Sequence, residues 1–261
     1  MKWIKRLMYF ILFVYAVLCA ALFFFQEKII FQPDKLPENH VFRAGEEVEI
    51  EVDKGISLNC LWLKERPSKG VILYLHGNRG SNRRCLYQAQ NMDGHGYDIF
   101  MPDYRGFGKS EGQVKNDRQL YRDVQKVYDF LKEKYPEHKI VVVGYSLGTG
   151  MASYLAAHNN PQQLVLLAPY VSMLDMKDRH APLVPDFLLK FKLRNDKHLA
   201  IVECPVTLFH GTADRVIPFV SSEILKEVKS EAIELVTLRN EGHRGTIFNN
   251  LFRRKIGEML R

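Results

Sequence analysis

A serine stands between two glycines at the end of an apolar run. Residues 140–148, IVVVGYSLG, place Ser146 between Gly144 and Gly148, and a helix-compatible stretch follows at residues 151–158. A strand, a sharp turn and a helix in this order hold a serine hydroxyl in a strained, accessible position, where only small neighbours fit. The pattern therefore predicts Ser146 as the nucleophile of an acyl transfer reaction.

A second serine matches the same five-residue pattern, in the sequence GKSEG at residues 108–112. Ser110 follows a glycine-rich stretch rather than a buried strand, which predicts a tight loop packed beside the site. The segment is not a phosphate-binding loop, because Asp103 occupies the position of the first glycine of that motif. Ser146 therefore remains the candidate nucleophile.

A serine nucleophile needs a base and an acid that orients the base. In sites built on a strand, turn and helix, the chain order is serine, acid, histidine, so both partners should follow Ser146. Asp214 comes soon after the apolar run 206–209, and His243 follows the run 233–238. Because the carboxyl ends of parallel strands share one edge of a sheet, we predict Asp214 as the acid and His243 as the general base.

The other downstream histidines and acids lack a strand end that would hold them in such a site: Asp175, Asp178, Asp196, His158, His180 and His198. The three aspartates stay open as alternative acids. His210 ends a predicted strand, where a local hydrogen bond is sufficient to explain it.

The turn after the apolar run 71–75 has the sequence HGNRG. Backbone N–H groups in such a turn lie beside the nucleophile and can bind the negative charge that develops on the substrate oxygen. We predict the N–H groups of Leu147 and Asn78 as the two donors of this oxyanion hole. A single donor contributes about 3 kcal/mol to transition-state stabilisation in other hydrolases.

The spacing of apolar residues predicts the elements that must position this site. Residues 46–53 and, less cleanly, 58–63 alternate between polar and apolar positions, which predicts two antiparallel strands. Continuous apolar runs predict parallel strands buried on both faces, at residues 71–75, 140–143, 164–167 and 206–209. Helical spacing between the runs, clearest at residues 117–135, indicates an α/β fold with a mostly parallel central sheet and helices on both faces.

Five motifs together resemble the α/β-hydrolase superfamily: HGN at 76–78, DYRGFGKS at 103–110, GYSLG at 144–148, HGTAD at 210–214 and GH at 242–243. Within it, the chain is similar to membrane-anchored α/β-hydrolase domain-containing proteins and to serine-aminopeptidase-like and lysophospholipase-like sequences. The resemblance implies Ser146 as nucleophile, Asp214 as acid and His243 as base. It also implies that Asp103 and Arg105 belong to a structural loop.

The amino-terminal part of the chain has a different character. Residues 7–25 carry no charge, and at about 1.5 Å per residue they nearly span a hydrocarbon core of about 30 Å. We predict a membrane anchor at residues 1–32 with a transmembrane helix at about 7–25, followed by the hydrolase domain at residues 33–261. A signal peptide cleaved after Ala21 is the alternative interpretation.

Charge at the two ends of the apolar segment bears on its orientation. Lys2, Lys5 and Arg6 precede the segment, whereas Lys28 and Lys35 follow it. By the positive-inside rule this small bias, together with the short amino-terminal tail, predicts a signal anchor whose catalytic domain lies on the non-cytoplasmic side.

Composition excludes several other functions. The chain has 261 residues and a net charge of +7, part of it in the anchor, which is too weak for a nucleic-acid-binding surface. The four cysteines have neither CxxC spacing nor a partner histidine, so we expect no metal site, and no redox cofactor is indicated. The sequence does not indicate an oligomeric state.

Residues 169–197 lie between two predicted strands and combine prolines, apolar residues and basic residues, which predicts a short cap over the site. A small amphipathic cap beside a membrane anchor favours a serine hydrolase that cleaves carboxylic esters or thioesters of lipid-like acyl substrates. Two alternatives stay open: a peptidase or amidase of the serine-aminopeptidase kind, and a non-catalytic binding module tethered to the membrane.

Overall fold

An eight-stranded sheet forms the centre of the protein in a computed structural model that describes residues 2–261. Its strands in chain order are β1 (Glu46–Asp53), β2 (Ile56–Leu63), β3 (Val71–Leu75), β4 (Asp98–Pro102), β5 (Ile140–Tyr145), β6 (Gln163–Leu167), β7 (Val206–Gly211) and β8 (Ile233–Leu238). Their order across the sheet is β8-β7-β6-β5-β3-β4-β2-β1, with β2 antiparallel to both neighbours and all other pairs parallel. The expected α/β-hydrolase fold is confirmed.

The sequence pattern missed one strand, β4. Its apolar core is only the tripeptide Ile-Phe-Met, flanked by Asp98 and Pro102, which are both unusual in strands. Asp98 is nevertheless buried, because its carboxylate accepts hydrogen bonds from Trp62 Nε1 at 2.8 Å and Tyr135 Oη at 2.5 Å. Tertiary partners thus stabilise a residue that local propensity disfavours.

Eight α-helices accompany the sheet: α1 (Lys2–Ile30), α2 (Asn82–Ala89), α3 (Asp117–Lys132), α4 (Gly148–His158), α5 (Met173–His180), α6 (Asn195–Leu199), α7 (Val220–Glu227) and α8 (Asn250–Met259). The α3 helix begins after Asn116, whose side chain accepts a hydrogen bond from Gln119 N–H, as its capping position predicts. It ends at Lys132, a few residues before the expected end at residue 135.

The α1 helix has 29 residues and is the one helix among residues 2–261 that is long and apolar enough to cross a membrane. It extends beyond the predicted span of residues 7–25 at both ends. Its carboxyl end joins the folded body: Phe31 is buried against the rings of Phe107 and Phe191, and Gln32–Pro33 pairs in parallel with Arg79–Gly80.

Apolar side chains fill both faces of the sheet. A buried ion pair holds the glycine-rich loop that follows β4. Arg105 donates two hydrogen bonds to Asp123 on α3, with atoms 2.7 and 2.8 Å apart, and both side chains are almost fully buried. Arg105 thereby anchors the loop that follows β4, in agreement with the structural role that the family resemblance implies.

We expect Asp123→Ala to lower the free energy of unfolding by about 3 kcal/mol, because it removes both short hydrogen bonds from the buried Arg105 guanidinium and leaves only the longer contact with Asp53 at 3.6 Å. Chemical denaturation in detergent micelles measures the change. Asp129→Ala on the same helix is the control, since its partner Lys132 is well exposed and the pair should contribute less than about 1 kcal/mol. Equal losses in the two variants would contradict this account.

Candidate active site

Ser146 lies in a tight turn between β5 and α4. Its φ of 52° is in the left-handed region that non-glycine residues rarely adopt. The flanking glycines permit this turn: a Cβ on Gly148 would lie 2.0 Å from the carbonyl oxygen of Leu75, and one on Gly144 would lie 2.7 Å from Ala152 Cβ. Strand, turn and helix therefore approach as closely as the motif predicts.

Three predicted residues from distant parts of the chain meet at this turn. His243 Nε2 lies 3.0 Å from Ser146 Oγ, and His243 Nδ1 lies 2.7 Å from Asp214 Oδ2. Both distances are within hydrogen-bond range, which is the arrangement that lets an imidazole take the serine proton while a carboxylate orients it.

The Asp214 carboxylate is held by more than His243. Its Oδ1 accepts hydrogen bonds from the N–H groups of Val216 and Ile217 at 2.8 and 2.9 Å. Burial alone would raise the pKa of Asp214, but hydrogen bonds from His210, His243 and Ile217 N–H outweigh it and hold this pKa well below its ordinary value. The Asp214 carboxylate therefore stays ionised at neutral pH.

His210 is a second histidine at this carboxylate, whereas its position at a strand end predicts only a local hydrogen bond. It is fully buried, with Nε2 3.3 Å from Asp214 Oδ2 and 2.9 Å from the Ile217 carbonyl oxygen. Its Nδ1 lies 2.6 Å from Ser222 Oγ. The position of His210 in the HGTAD motif, four residues before the acid, was the available signal.

Tyr145 contacts His243 through both its hydroxyl group and its ring. Its hydroxyl donates a hydrogen bond to the His243 carbonyl at 3.1 Å, and the two rings stack with centroids 5.6 Å apart. Burial raises the pKa of Tyr145 to about 12, so the hydroxyl keeps the proton that it donates.

The residues of the two predicted oxyanion donors, Leu147 and Asn78, line the same cavity as Ser146. Within residues 2–261, neither the Leu147 N–H nor the Asn78 N–H has an acceptor in the protein, so both are free to bind a substrate oxygen. Asn78 is fixed by its other groups: its carbonyl accepts from Gln32 N–H at 2.8 Å, and its side chain donates to the Ile30 carbonyl at 2.9 Å. The end of α1 thus positions this turn.

The second serine motif does not contribute a hydroxyl to the site. Ser110 is buried, donates to the Asp103 carbonyl at 2.7 Å and accepts from Asn59 N–H at 2.8 Å. Both carboxylate oxygens of Asp103 in turn accept a hydrogen bond from Asn82 N–H, at 2.9 and 3.1 Å. The polar groups of this loop therefore bind one another and have a structural role.

Within residues 2–261, none of the alternative acids forms a hydrogen bond or ion pair with Ser146 or His243. Each pairs instead with a basic residue: Asp175 with Arg179, Asp178 with Lys177, and Asp196 with Arg194. His158 packs against Tyr154, with ring centroids 4.2 Å apart. Among residues 2–261 no group of three His, Cys, Asp or Glu side chains could hold a metal ion.

A cavity of about 580 Å³ opens directly over Ser146 and His243. Most of its wall is apolar and comes from two sides, one on α1 and one on the segment after β6. The lining residues of these two sides include Leu22, Phe23, Ile29, Met173, Met176, Val184 and Leu188. The sequence pattern of α1 indicates only a membrane span and gives no sign of its contribution to this wall.

Two arginines stand at the polar rim of the cavity. Arg84 on α2 and Arg244, directly after His243, both line it and are exposed. Within the described part of the chain, neither forms an ion pair or a side-chain hydrogen bond, so their positive charges are available to a ligand.

Comparison with known proteins agrees with this architecture. The model of the family described as Serine aminopeptidase, S33 matches residues 66–200. The Lysophosphatidylserine lipase ABHD12 of Xenopus tropicalis is 30% identical over 199 residues, which are 67% of this chain and 51% of that protein. An uncharacterised protein of Mycobacterium tuberculosis is 28% identical and covers 84% of this chain and 80% of its own length. The chain spans about half the length of the ABHD12 relatives.

Solved structures share the fold at low sequence identity. The esterase Pf2001 of Pyrococcus furiosus superposes with a TM-score of 0.70 at 20% identity, covering 88% of this chain and 98% of that one. Est1E of Butyrivibrio proteoclasticus, solved with ferulic acid, has a TM-score of 0.67 at 19% identity and covers 82% and 97%. Because the family model matches more than half of the residues, the chain belongs to the serine aminopeptidase S33 family of the α/β-hydrolase superfamily.

Proposed function

We propose that this protein is a serine hydrolase that cleaves the ester bond of a lipid-like substrate with one acyl chain and an anionic head group. The observation that carries the proposal is the hydrogen-bonded series Ser146, His243, Asp214 at the floor of a largely apolar cavity. The similarity to lysophosphatidylserine lipases of the same family supports this substrate class.

In the proposed mechanism, His243 Nε2 takes the proton of Ser146 Oγ as the oxygen attacks the ester carbonyl. The N–H groups of Leu147 and Asn78 bind the oxyanion of the tetrahedral intermediate. His243 then gives its proton to the leaving alcohol or thiol, and water releases the acyl group from Ser146 by the reverse sequence. Asp214 keeps the imidazole in the correct tautomer throughout.

The proposal also divides the chain into a membrane anchor and a hydrolase domain. Residues 1–32 form the membrane anchor, and residues 33–261 form the hydrolase domain with a short cap at about 169–197. The α1 helix meets the length and composition of a membrane span, which supports anchoring. We assign the hydrolase domain to the non-cytoplasmic side on the charges that flank the helix.

An ester of a fatty acid suits the cavity better than a peptide. The wall formed by α1 and the cap offers apolar side chains to an acyl chain, and the rim offers Arg84 and Arg244 to a phosphate or carboxylate. A peptidase that recognises a free amino terminus needs a carboxylate in the cavity. No Asp or Glu side chain lines it among the described residues, which disfavours the aminopeptidase alternative.

We expect Ser146→Ala to lower the hydrolysis of p-nitrophenyl butyrate by at least about 10³-fold and to abolish labelling by a fluorophosphonate probe. Ser110→Ala is the matched control, since Ser110 lies in the same sequence pattern but away from the cavity, and it should keep labelling once folding is verified. Labelling that survives in Ser146→Ala would exclude Ser146 as the nucleophile. Preferential cleavage of aminoacyl anilides by the unaltered protein would favour the peptidase alternative.

We expect Asp214→Asn to lower kcat by about 10⁴-fold with a smaller change in KM, because the amide no longer fixes the imidazole tautomer. The lowered pKa of Asp214 means that its carboxylate is ionised in the native protein, and its stabilising effect is lost only as pH falls through that low pKa. Steady-state kinetics at pH 7 and 8 measure the change. An unchanged kcat at both pH values would contradict the assigned role.

We expect Arg84→Gln and Arg244→Gln together to raise KM for an anionic lysophospholipid about tenfold or more, because charge-assisted hydrogen bonds to the head group are lost. Kinetics with lysophosphatidylserine and with an uncharged monoacylglycerol of the same chain length measure the effect, and the uncharged substrate should be nearly unaffected. Arg239→Gln, an exposed arginine outside the cavity, is the control. Equal effects on both substrates would contradict head-group recognition by these arginines.

A further inference from the structure

The α1 helix and the cap are joined by specific polar contacts. Gln26, the first polar residue after the apolar run of α1, is buried; its Nε2 donates to the Leu188 carbonyl at 2.9 Å and its Oε1 accepts from Lys190 N–H at 2.8 Å. Lys190 Nζ also lies 3.3 Å from Glu27 Oε2. These contacts fix the cap segment against the helix at the level where the apolar run ends.

From its contacts with Gln26, the cap extends along α1 toward the middle of the apolar run. The Tyr15 hydroxyl donates a hydrogen bond of 2.7 Å to the Leu183 carbonyl. Tyr15 precedes the end of the apolar run at residue 25 by ten residues, which is about 15 Å along a helix axis. If residues 7–25 span the hydrocarbon core, then the part of the cap beside Tyr15 lies below the membrane surface.

The composition of this part of the cap suits such a position. We call residues 181–189, APLVPDFLL, the cap tip. Leu183 and Phe187 are 80% and 79% exposed, which is unusual for large apolar side chains in water. The single charge of the cap tip, Asp186, forms an ion pair with Lys177 at 2.7 Å.

Part of the backbone of the cap tip is hydrogen-bonded within the protein, which lowers the cost of contact with lipid. Pro182 and Pro185 have no N–H group to satisfy. The N–H groups of Val184 and Leu188 donate to the carbonyls of Ala181 and Pro185, at 3.0 and 3.1 Å. Tyr15 supplies the donor for the carbonyl of Leu183.

We propose that the cap tip inserts into the lipid leaflet beside α1, and that the cavity receives its substrate from that leaflet through the gap between them. The cavity is lined at this gap by Leu22 and Phe23 from α1 and by Val184 and Leu188 from the cap tip, so an acyl chain can pass from lipid to Ser146 along apolar surface. The insertion rests on the helix–cap contacts and on the membrane span of α1, whereas the entry of substrate rests also on the proposed function.

The insertion is tested by fluorescence without any need for catalysis. Full-length Phe187→Cys in a Cys19→Ala background, labelled with the dye NBD and reconstituted in phosphatidylcholine vesicles, should show blue-shifted emission and strong quenching by lipids spin-labelled on the acyl chain. The three remaining cysteines are buried. Ile201→Cys is the matched control, because Ile201 is also apolar and 58% exposed but lies in the loop that leads into β7, and it should not be quenched.

Quenching at Phe187→Cys no stronger than at Ile201→Cys would overturn the proposal. So would a blue shift that is insensitive to the spin-labelled lipids and depends on protein density, since a second copy of the chain would then cover the cap tip.

Substrate entry has its own test in the double variant Leu183→Asp, Phe187→Asp. We expect hydrolysis of a lysophospholipid presented in vesicles to fall about tenfold or more, because charge is expelled from the hydrocarbon region, while hydrolysis of water-soluble p-nitrophenyl butyrate stays within about twofold. Ile201→Asp should change neither rate. Equal loss on both substrates, or no loss on the lipid, would contradict entry from the leaflet. Inactivity of the unaltered protein on all esters would instead refute the proposed function and leave the fluorescence result intact.

Discussion

The parallel register of β7 with β8 is the constraint on which the site depends. The two strands end level with each other, with Gly211 paired to Leu238, so the loops that carry Asp214 and His243 leave the sheet side by side. Two backbone hydrogen bonds then join the loops, from Thr212 N–H to the Leu238 carbonyl at 3.0 Å and from Ala213 N–H to the Glu241 carbonyl at 2.9 Å. A slip in this register would separate Asp214 from His243.

Glycine makes this close approach possible. A Cβ on Gly211 would lie 2.2 Å from the carbonyl oxygen of Glu241, so no other residue fits between the two loops without moving them. The same argument applies on the other side of the site, where Gly148 lets α4 begin against the end of β3. The 2.7 Å contact between His243 and Asp214 is thus a consequence of backbone packing as much as of the two side chains.

Much of this could be predicted from the sequence, because buried parallel strands leave continuous apolar runs and the residues after them share one edge of the sheet. Residues 46–53, 71–75 and 233–238 are strands with the expected limits. The strand β4 could not be found in this way, since its buried Asp98 is stabilised only by distant partners. His210 was missed for a similar reason, because a histidine at the end of a strand has the same sequence pattern whether or not its side chain contacts Asp214.

The contribution of α1 to the cavity wall could not be predicted from the sequence, for a different physical reason. An apolar run of that length is explained fully by a membrane, so nothing in its pattern indicates a second use. The signal lay just past the run, in Gln26, a polar side chain that needs a partner when it is buried. Its partners belong to the cap, far along the chain, and only the folded structure brings them together.

For the proposed lipid-like substrate and membrane anchor, the contribution of α1 to the cavity wall changes the energetics of substrate capture. Moving an acyl chain from a membrane into water costs about 0.8 kcal/mol for each CH₂ group, so a soluble route would face most of that cost before the chain reached the cavity. A chain that slides from the leaflet into a cavity lined by Leu22, Phe23 and Leu188 stays in apolar surroundings. The remaining cost is the partial dehydration of the head group, which Arg84 and Arg244 can offset because their own charges have no other partner. In the proposed function, an anchored helix that also forms the cavity wall therefore places the reaction where the substrate is already dissolved.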